Sequence, residues 1–453
     1  MRFPDFKVKF PEVKIHAVRS TAAAATSVLN LIPDRLVLSL AHKQISKIRH
    51  EEGRLFFERL LLHFKRALPH CADNVRRKFA SNLLANLVIS QEKAHTFKEI
   101  HGIQPPDLLV ISPSMKCNLK CSGCYSGKYM KDEGLEYELI DRILKEAKEM
   151  GIYFIVISGG EPFLRRDLFD IFSSHDDIFF QVYTNGTLID DRAADRLAEL
   201  GNVFPCISVE GFKKETDSRR GKGTFKKITD AMDRLRERQV IFGFSVTVTR
   251  NNNELVVSDE FVDYYVEKGA FLGWYFNYIP IGRDASIELM PTPQQRQYRR
   301  ERMNQLRQIK PIILADFWND GPLTGGCISS GRVYLHINAQ GDVEPCVFAQ
   351  FAVDNIREKS LSEVIGSEFF RMLKAKQPFN ENHYRPCMII DNPHVLREVV
   401  KCCGAHPSYP EAMRLITDFA DSLDLYAREY GRIADEAWQK DMKRKEDNFQ
   451  IAS

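Results

Sequence analysis

From Ser27 to Glu99 apolar residues recur three and four positions apart, as in Leu55, Phe56, Leu60, Leu61, Phe64 and Leu68, with lysines and arginines between them. That spacing gathers the apolar side chains on one helix face and predicts a helical preamble. Pro105-Pro106 breaks the pattern and sets a boundary near residue 104, because proline lacks the amide hydrogen that a helix interior needs. Beyond it, short runs rich in β-branched and aromatic residues alternate with helical stretches. The runs predict strands at 108–112, 154–158, 180–183, 204–209, 242–249 and 273–279, and the stretches predict helices at 137–150, 191–200, 225–238, 259–268 and 293–309. Six successive βα units imply an α/β fold with a parallel sheet. In such folds ligands collect beyond the carboxyl ends of the strands. Residues 411–448 carry the charge mixture of a terminal helix that packs by one face.

The 453-residue chain is 44% hydrophobic and 28% charged, a globular composition with room for a large catalytic domain and smaller pieces. Ten cysteines without an apolar N-terminal signal region point to a reducing cytoplasm rather than to disulfides. No uninterrupted apolar run reaches the roughly 18 residues of a membrane span. Charge is uneven: residues 1–100 hold 18 Lys+Arg against 9 Asp+Glu, and the remainder 46 against 52. The N-terminal part is therefore expected to meet something anionic, whether a membrane surface, an acidic peptide or a neighbouring subunit, or else to present a solvated basic face. The basic excess comes with no RNA-binding module, so nucleic acid is not an expected partner.

The densest chemistry is Cys117, Cys121 and Cys124, on a loop that follows the first predicted strand. Three thiolates can hold three irons of a cubane cluster and leave the fourth open to a cofactor, whereas a structural zinc site closes with four ligands. The second predicted strand ends in Gly159, Gly160, Glu161 and Pro162. In this order, each at a strand end, these motifs resemble the radical S-adenosylmethionine (radical SAM) superfamily, whose fold is a partial (β/α)6 TIM-like barrel. The resemblance implies a [4Fe-4S] cluster, S-adenosyl-L-methionine chelated to its free iron, and contacts from Gly159 to Pro162 to the methionyl amino group. It further implies reductive cleavage to a 5′-deoxyadenosyl radical that abstracts hydrogen from an unactivated C–H bond, with a flavodoxin- or ferredoxin-type electron donor.

Other segments carry the same resemblance. Thr184 and Asn185 close the third strand where the family places polar contacts to ribose or carboxylate. Ser208 and Glu210 close the fourth, with glutamate where aspartate is usual. The run 219–225 resembles one that brings an arginine to the methionyl carboxylate, Arg220 being favoured over Arg219, since a guanidinium pairs with a carboxylate at two points. The family usually has an aromatic residue immediately before the third cluster cysteine. This chain has Gly123, which gives Tyr125 the adenine contact.

Cys327 and Cys346, with Gly341-Asp342 between them, resemble the first half of the auxiliary-cluster extension called SPASM, or its shorter form twitch. In physical terms this is a β-hairpin that aligns two thiolates. Cys387 is the expected third ligand of one auxiliary [4Fe-4S] cluster, and the fourth is Cys402, Cys403 or none. Cys71 and Cys206 are expected in the core. The chain accordingly divides into a basic helical N-terminal segment (1–104), a radical SAM core barrel (105–310), a SPASM/twitch-like domain (311–410) and a C-terminal helix (411–453). Substrate chemistry stays open at this level: a peptide, as for many relatives with such extensions; a lipid or other small molecule delivered at the inner face of the membrane by the basic preamble; or no substrate at all, the clusters being structural or sensory.

Overall fold

The computed structural model describes residues 32–46, 51–129 and 134–452. Residues 1–31 and 47–50, which carry part of the expected preamble and of its basic excess, lie outside that set.

Eight parallel strands form the frame: β1 (Leu108–Ile111), β2 (Phe154–Ile157), β3 (Phe179–Thr184), β4 (Val203–Val209), β5 (Gly243–Val248), β6 (Leu272–Asn277), β7 (Ile313–Asp316) and β8 (Tyr334–Ile337). A short β9 (Val343–Glu344) runs antiparallel to β8. Their spatial order is β7-β6-β5-β4-β3-β2-β1-β8-β9. Each of the six predicted strands is present within two residues of its expected ends. The segment beyond residue 310 does not stand apart from this sheet: β7 extends one edge, and β8 pairs with β1 on the other, Leu108 opposite Tyr334.

The strands read as near-continuous apolar runs because helices cover the outer side of the sheet. On the helix Tyr137–Glu149 the buried positions are Ile140, Ile143, Leu144 and Ala147, the three-and-four spacing of one face. The helix Asp191–Leu200 begins where the Asp190 carboxylate accepts from Ala193 N and ends at Gly201 with φ +68°, a left-handed conformation open to glycine. Sequence periodicity misses the short helices Leu168–Ser174 and Lys213–Arg220, the latter having no apolar stripe.

The preamble consists of helices Asp34–Ile45, Glu51–Ala67, Asp73–Phe79 and Asn86–His101, with a π-helical turn at Ala80–Ala85. It lies against the amino ends of the strands. Phe64 and Phe79 meet Phe271 from the loop before β6, with centroids 5.1 and 6.5 Å apart. Much of its positive charge is used internally. Arg59 donates to the carbonyls of Arg307 and Gln308 at 2.7 and 2.6 Å, Lys65 pairs with Asp34, and Lys78 donates to Asp176. Among the described residues no helix is long and apolar enough to cross a membrane. At the other end of the chain, Tyr430 of the helix Ala420–Ala452 lies over the Arg296 guanidinium, 3.8 Å from its ring centroid.

Candidate active site

At the carboxyl ends of the strands two turns lock the cysteine loop in place. The loop after β2 lies flush against the loop after β1: Gly160 N donates to Ser114 O and Glu161 N to Lys116 O, at 3.0 and 2.8 Å. A Cβ on Gly160 would stand 2.0 Å from Lys116 O, so only glycine permits this approach. Glu161, 2% exposed, accepts from Phe163 N at 3.1 Å, Thr184 Oγ1 at 2.7 Å and Asn185 N at 2.7 Å. Burial raises its carboxyl above the ordinary range, and these donors oppose the shift. Glu161 and Thr184 thus bind each other's turns, and Pro162 is buried at the start of a short 3-10 turn.

The three thiols differ in surroundings. Cys117 accepts from Leu119 N at 3.4 Å and lies 3.9 Å from Asn185 Nδ2. Burial raises the Cys117 and Cys121 thiols, while Leu119 N–H and the Arg220 guanidinium respectively draw them back. Cys124 contacts Ser126 Oγ at 3.3 Å. Among the described residues no three His, Cys, Asp or Glu side chains converge tightly enough to hold a single metal ion. Three thiols on one short loop suit a polynuclear cluster, which takes one thiolate per iron. The donor set, with backbone N–H groups and guanidinium charge beside the sulfurs, fits such a cluster and disfavours a zinc knuckle.

Glu210, 1% exposed, organises the arginines. Arg220 donates to its Oε1 through Nε and Nη2 at 2.8 and 2.6 Å, and Arg219 pairs with the same oxygen. Arg219 also donates to Gly123 O at 3.3 Å. Both guanidiniums therefore have a carboxylate already, and Glu210 Oε2 is buried without a hydrogen-bond partner. Ser208 Oγ lies 3.4 Å from Ser245 Oγ. Tyr125 accepts from Gly159 N at 3.2 Å, and its hydroxyl lies 3.3 Å from Ser158 Oγ, so its ring stands over the end of β2.

One lining residue escapes sequence reasoning. A Cβ on Gly123, whose φ is +63°, would lie 2.7 Å from Cε2 of Tyr278, so the Tyr278 ring fills the place that an aromatic at position 123 would hold. Its signal in the sequence was the glycine itself. Tyr278 lies just past β6, 155 residues away, and no local pattern connects the two.

The second cysteine set also assembles. Cys327, Cys346 and Cys387 surround one small hollow with Phe317, Trp318 and Met388. Cys346 Sγ meets Tyr334 Oη at 3.0 Å, Cys327 Sγ meets Ser329 Oγ at 3.1 Å, and Cys387 Sγ accepts from Ile389 N at 3.3 Å. Burial pushes the Cys346 thiol up to about 12 and raises Cys387 as well, so a thiolate here needs a metal to carry its charge. Cys402 and Cys403 do not join the set. They end the helix Pro393–Cys403, where Cys402 is exposed and Cys403 contacts Met372 Sδ at 3.7 Å. Cys206 is buried on β4 and Cys71 is half-buried.

A cavity of about 1410 Å³ opens at this end; its lining includes Cys117, Cys121, Cys124, Asn185, Arg220 and Tyr278. Phe348, two residues past Cys346, lines the same space and meets Tyr125 at 5.8 Å, which brings the two cysteine sets to neighbouring walls.

Comparison with known proteins agrees with this geometry. Residues 111–262 match the Radical SAM superfamily, and residues 327–389 match the iron-sulfur cluster-binding domain SPASM. The mycofactocin maturase MftC of Mycobacterium ulcerans is 29% identical over 315 residues, covering 63% of this chain and 83% of that protein. The sporulation killing factor maturation protein SkfB of Bacillus subtilis is 28% identical over 275 residues, covering 57% and 64%. The AdoMet-dependent heme synthase of Methanosarcina barkeri is 27% identical over 305 residues, covering 59% and 85%. In fold, the Streptococcus suis SuiB structure bound to S-adenosylmethionine aligns with TM-score 0.53 at 21% identity, covering 62% of this chain and 71% of that one. The chain therefore carries a radical SAM domain followed by a SPASM domain, the pair that binds S-adenosylmethionine, a [4Fe-4S] cluster and an auxiliary iron–sulfur cluster in a radical SAM enzyme.

Proposed function

We propose that this enzyme modifies a peptide, in the manner of a maturase. The observation that carries the reading is the shared cavity: the Cys117/Cys121/Cys124 loop and the wall beside Cys346 face one space, so a substrate held there would lie between both cluster sites. MftC and SkfB, the relatives named as maturation proteins, support the same substrate class. When bound, S-adenosylmethionine and its cluster supply one-electron cleavage of the sulfonium and, through it, hydrogen abstraction from an unactivated C–H bond.

The chain's own residues then have distinct tasks. Gly160, Glu161, Thr184 and Asn185 fix the cysteine loop and leave the edges of their turns toward the cofactor. Arg219 and Arg220, held by Glu210, keep positive charge beside the thiolates. Tyr278 and Tyr125 offer aromatic faces for the adenine. Cys327, Cys346 and Cys387 hold the auxiliary cluster without a fourth cysteine. A flavodoxin- or ferredoxin-type donor and a reducing cytoplasm, which keeps ten cysteines free, belong to this reading.

Anaerobic reconstitution with iron and sulfide tests it. Dithionite-dependent 5′-deoxyadenosine is expected from the wild type and not from Cys117→Ala/Cys121→Ala/Cys124→Ala, and peptides encoded beside the gene should change mass when incubated with the wild type. Turnover of S-adenosylmethionine with every such peptide unchanged would sink the peptide reading.

A further inference from the structure

An aromatic wall stands between the large cavity and the hollow of the second cysteine set. Phe317 and Ile328 border both spaces. The buried Tyr334 ring lines the cavity and meets Phe317 edge-on at 6.1 Å. From this wall the Tyr334 hydroxyl reaches Cys346 Sγ at 3.0 Å, its only hydrogen-bond partner among the described residues. Either atom can donate while Cys346 is a thiol. A thiolate carries no proton, so once a metal takes Cys346 the hydroxyl must be the donor. Burial and the neighbouring cysteines push the pKa of the phenol up, which keeps that proton on the oxygen.

The other two cysteines of the set are served differently. Cys387 accepts from the backbone N–H of Ile389, and Ser329, beside Cys327, also has Ser330 Oγ at 3.2 Å to bond with. The carboxylates nearby are already engaged, Asp391 with Arg296 and Glu344 with His336, Tyr129 and Asn338. Around the thiols the hollow is apolar, and burial pushes the Cys346 thiol up to about 12. A hydrogen bond in such surroundings is electrostatically stronger than in water. An added electron increases the negative charge on the sulfurs of an iron–sulfur cluster, so a donor aimed at one of them favours the reduced state.

We propose that Tyr334 is a positioning residue of the auxiliary site: its hydroxyl donates to Cys346 Sγ and holds the reduction potential of the cluster bound there above the value the cysteines alone would give. A raised potential biases the site toward accepting an electron from the cavity that the same ring lines. The proposal holds for any substrate and rests on Cys327, Cys346 and Cys387 as the auxiliary ligands. The full-length Cys117→Ala/Cys121→Ala/Cys124→Ala variant, reconstituted with iron and sulfide, isolates that cluster for a redox titration followed by electron paramagnetic resonance. Adding Tyr334→Phe should leave iron per chain unchanged and weaken reduction about tenfold, a fall of about 59 mV for one electron. Tyr275→Phe removes another buried hydroxyl, one that donates to Val256 O at 2.8 Å, and should leave the potential in place. An equal potential for Tyr334→Phe, or an equal fall for Tyr275→Phe, would overturn the proposal. Should Tyr334→Phe fail to fold or to load iron, 3-fluorotyrosine placed at position 334 keeps the ring and strengthens the donor; the potential should then rise, and an unchanged value overturns the proposal. Absence of iron from the triple variant itself would remove the ligand assignment and the proposal with it, whereas iron indifferent to Tyr334 would leave that assignment standing. Neither result depends on whether any peptide is modified.

Discussion

Single atoms decide much at this site. Gly160→Ala would drive a methyl into Lys116 O, a backbone atom that cannot swing aside. The expected outcome is a folded protein that loads less iron on the 117–124 loop, measured as iron per chain and as the charge-transfer absorbance of the cluster. Glu210→Gln removes the buried charge that faces two partly exposed guanidiniums; breaking a fully buried pair costs about 3–5 kcal/mol, and urea unfolding of the variant should show a loss at or below the lower end of that range. Lys374 gives a pH signature away from the cysteines. Its ammonium donates to Gln104 O, and burial lowers its pKa to about 8. Between pH 8 and about 10.5 the unfolded chain binds the proton that the folded chain has lost, so stability rises with pH across that window, by up to about 3 kcal/mol. The stability of wild type minus that of Lys374→Met, followed from pH 7 to 11, should show this rise.

At the scale of elements, periodicity and propensity carried as far as physics allows. The helices over 137–149, 191–200, 224–237 and 293–309 have an apolar stripe or a strong cap, and their bounds were legible. β7 and β8 are four residues long, and nothing local announces that Tyr334–Ile337 belongs beside β1. Motifs written in contiguous residues, such as 117–124 and 159–162, could be read directly. Partnerships across the fold, such as Tyr278 over Gly123 or Arg219 and Arg220 on Glu210, are set by strand order and could not. Cys402 shows the converse: a thiol in the right region of sequence that the helix Pro393–Cys403 carries to the surface. One cross-element contact makes a prediction. Asp391 pairs with Arg296 of the helix Pro293–Ile309 at 2.5 Å and accepts from Cys387 N at 3.0 Å, so it ties the barrel to the auxiliary cysteines. Asp391→Ala should lower auxiliary iron while the 117–124 cluster still forms, and electron paramagnetic resonance of the two reduced clusters should separate these effects.

For the whole molecule, the first cysteine set opens onto the large cavity and the second surrounds a small hollow beside its wall, both on a single sheet. Reconstituted wild type should hold about eight irons, and the triple alanine variant of the first loop about four. Saturating S-adenosylmethionine should raise the thermal midpoint of the first and leave that of the second in place, because only a ligand that binds the native state stabilises it.

The pairing of β8 with β1 also governs how the molecule comes into being. Leu108 and its partner Tyr334 are separated by more than two hundred residues, so during synthesis at about 5–20 residues per second β1 waits on the order of ten to forty seconds for its neighbour. Throughout that interval the strand that leads into the iron-binding loop has an open edge, available to β2 on one side and to any other chain on the other. Metal insertion that ran ahead of the ribosome would fasten an unfinished barrel, which makes the timing of cluster delivery, as much as its chemistry, a requirement for obtaining active protein.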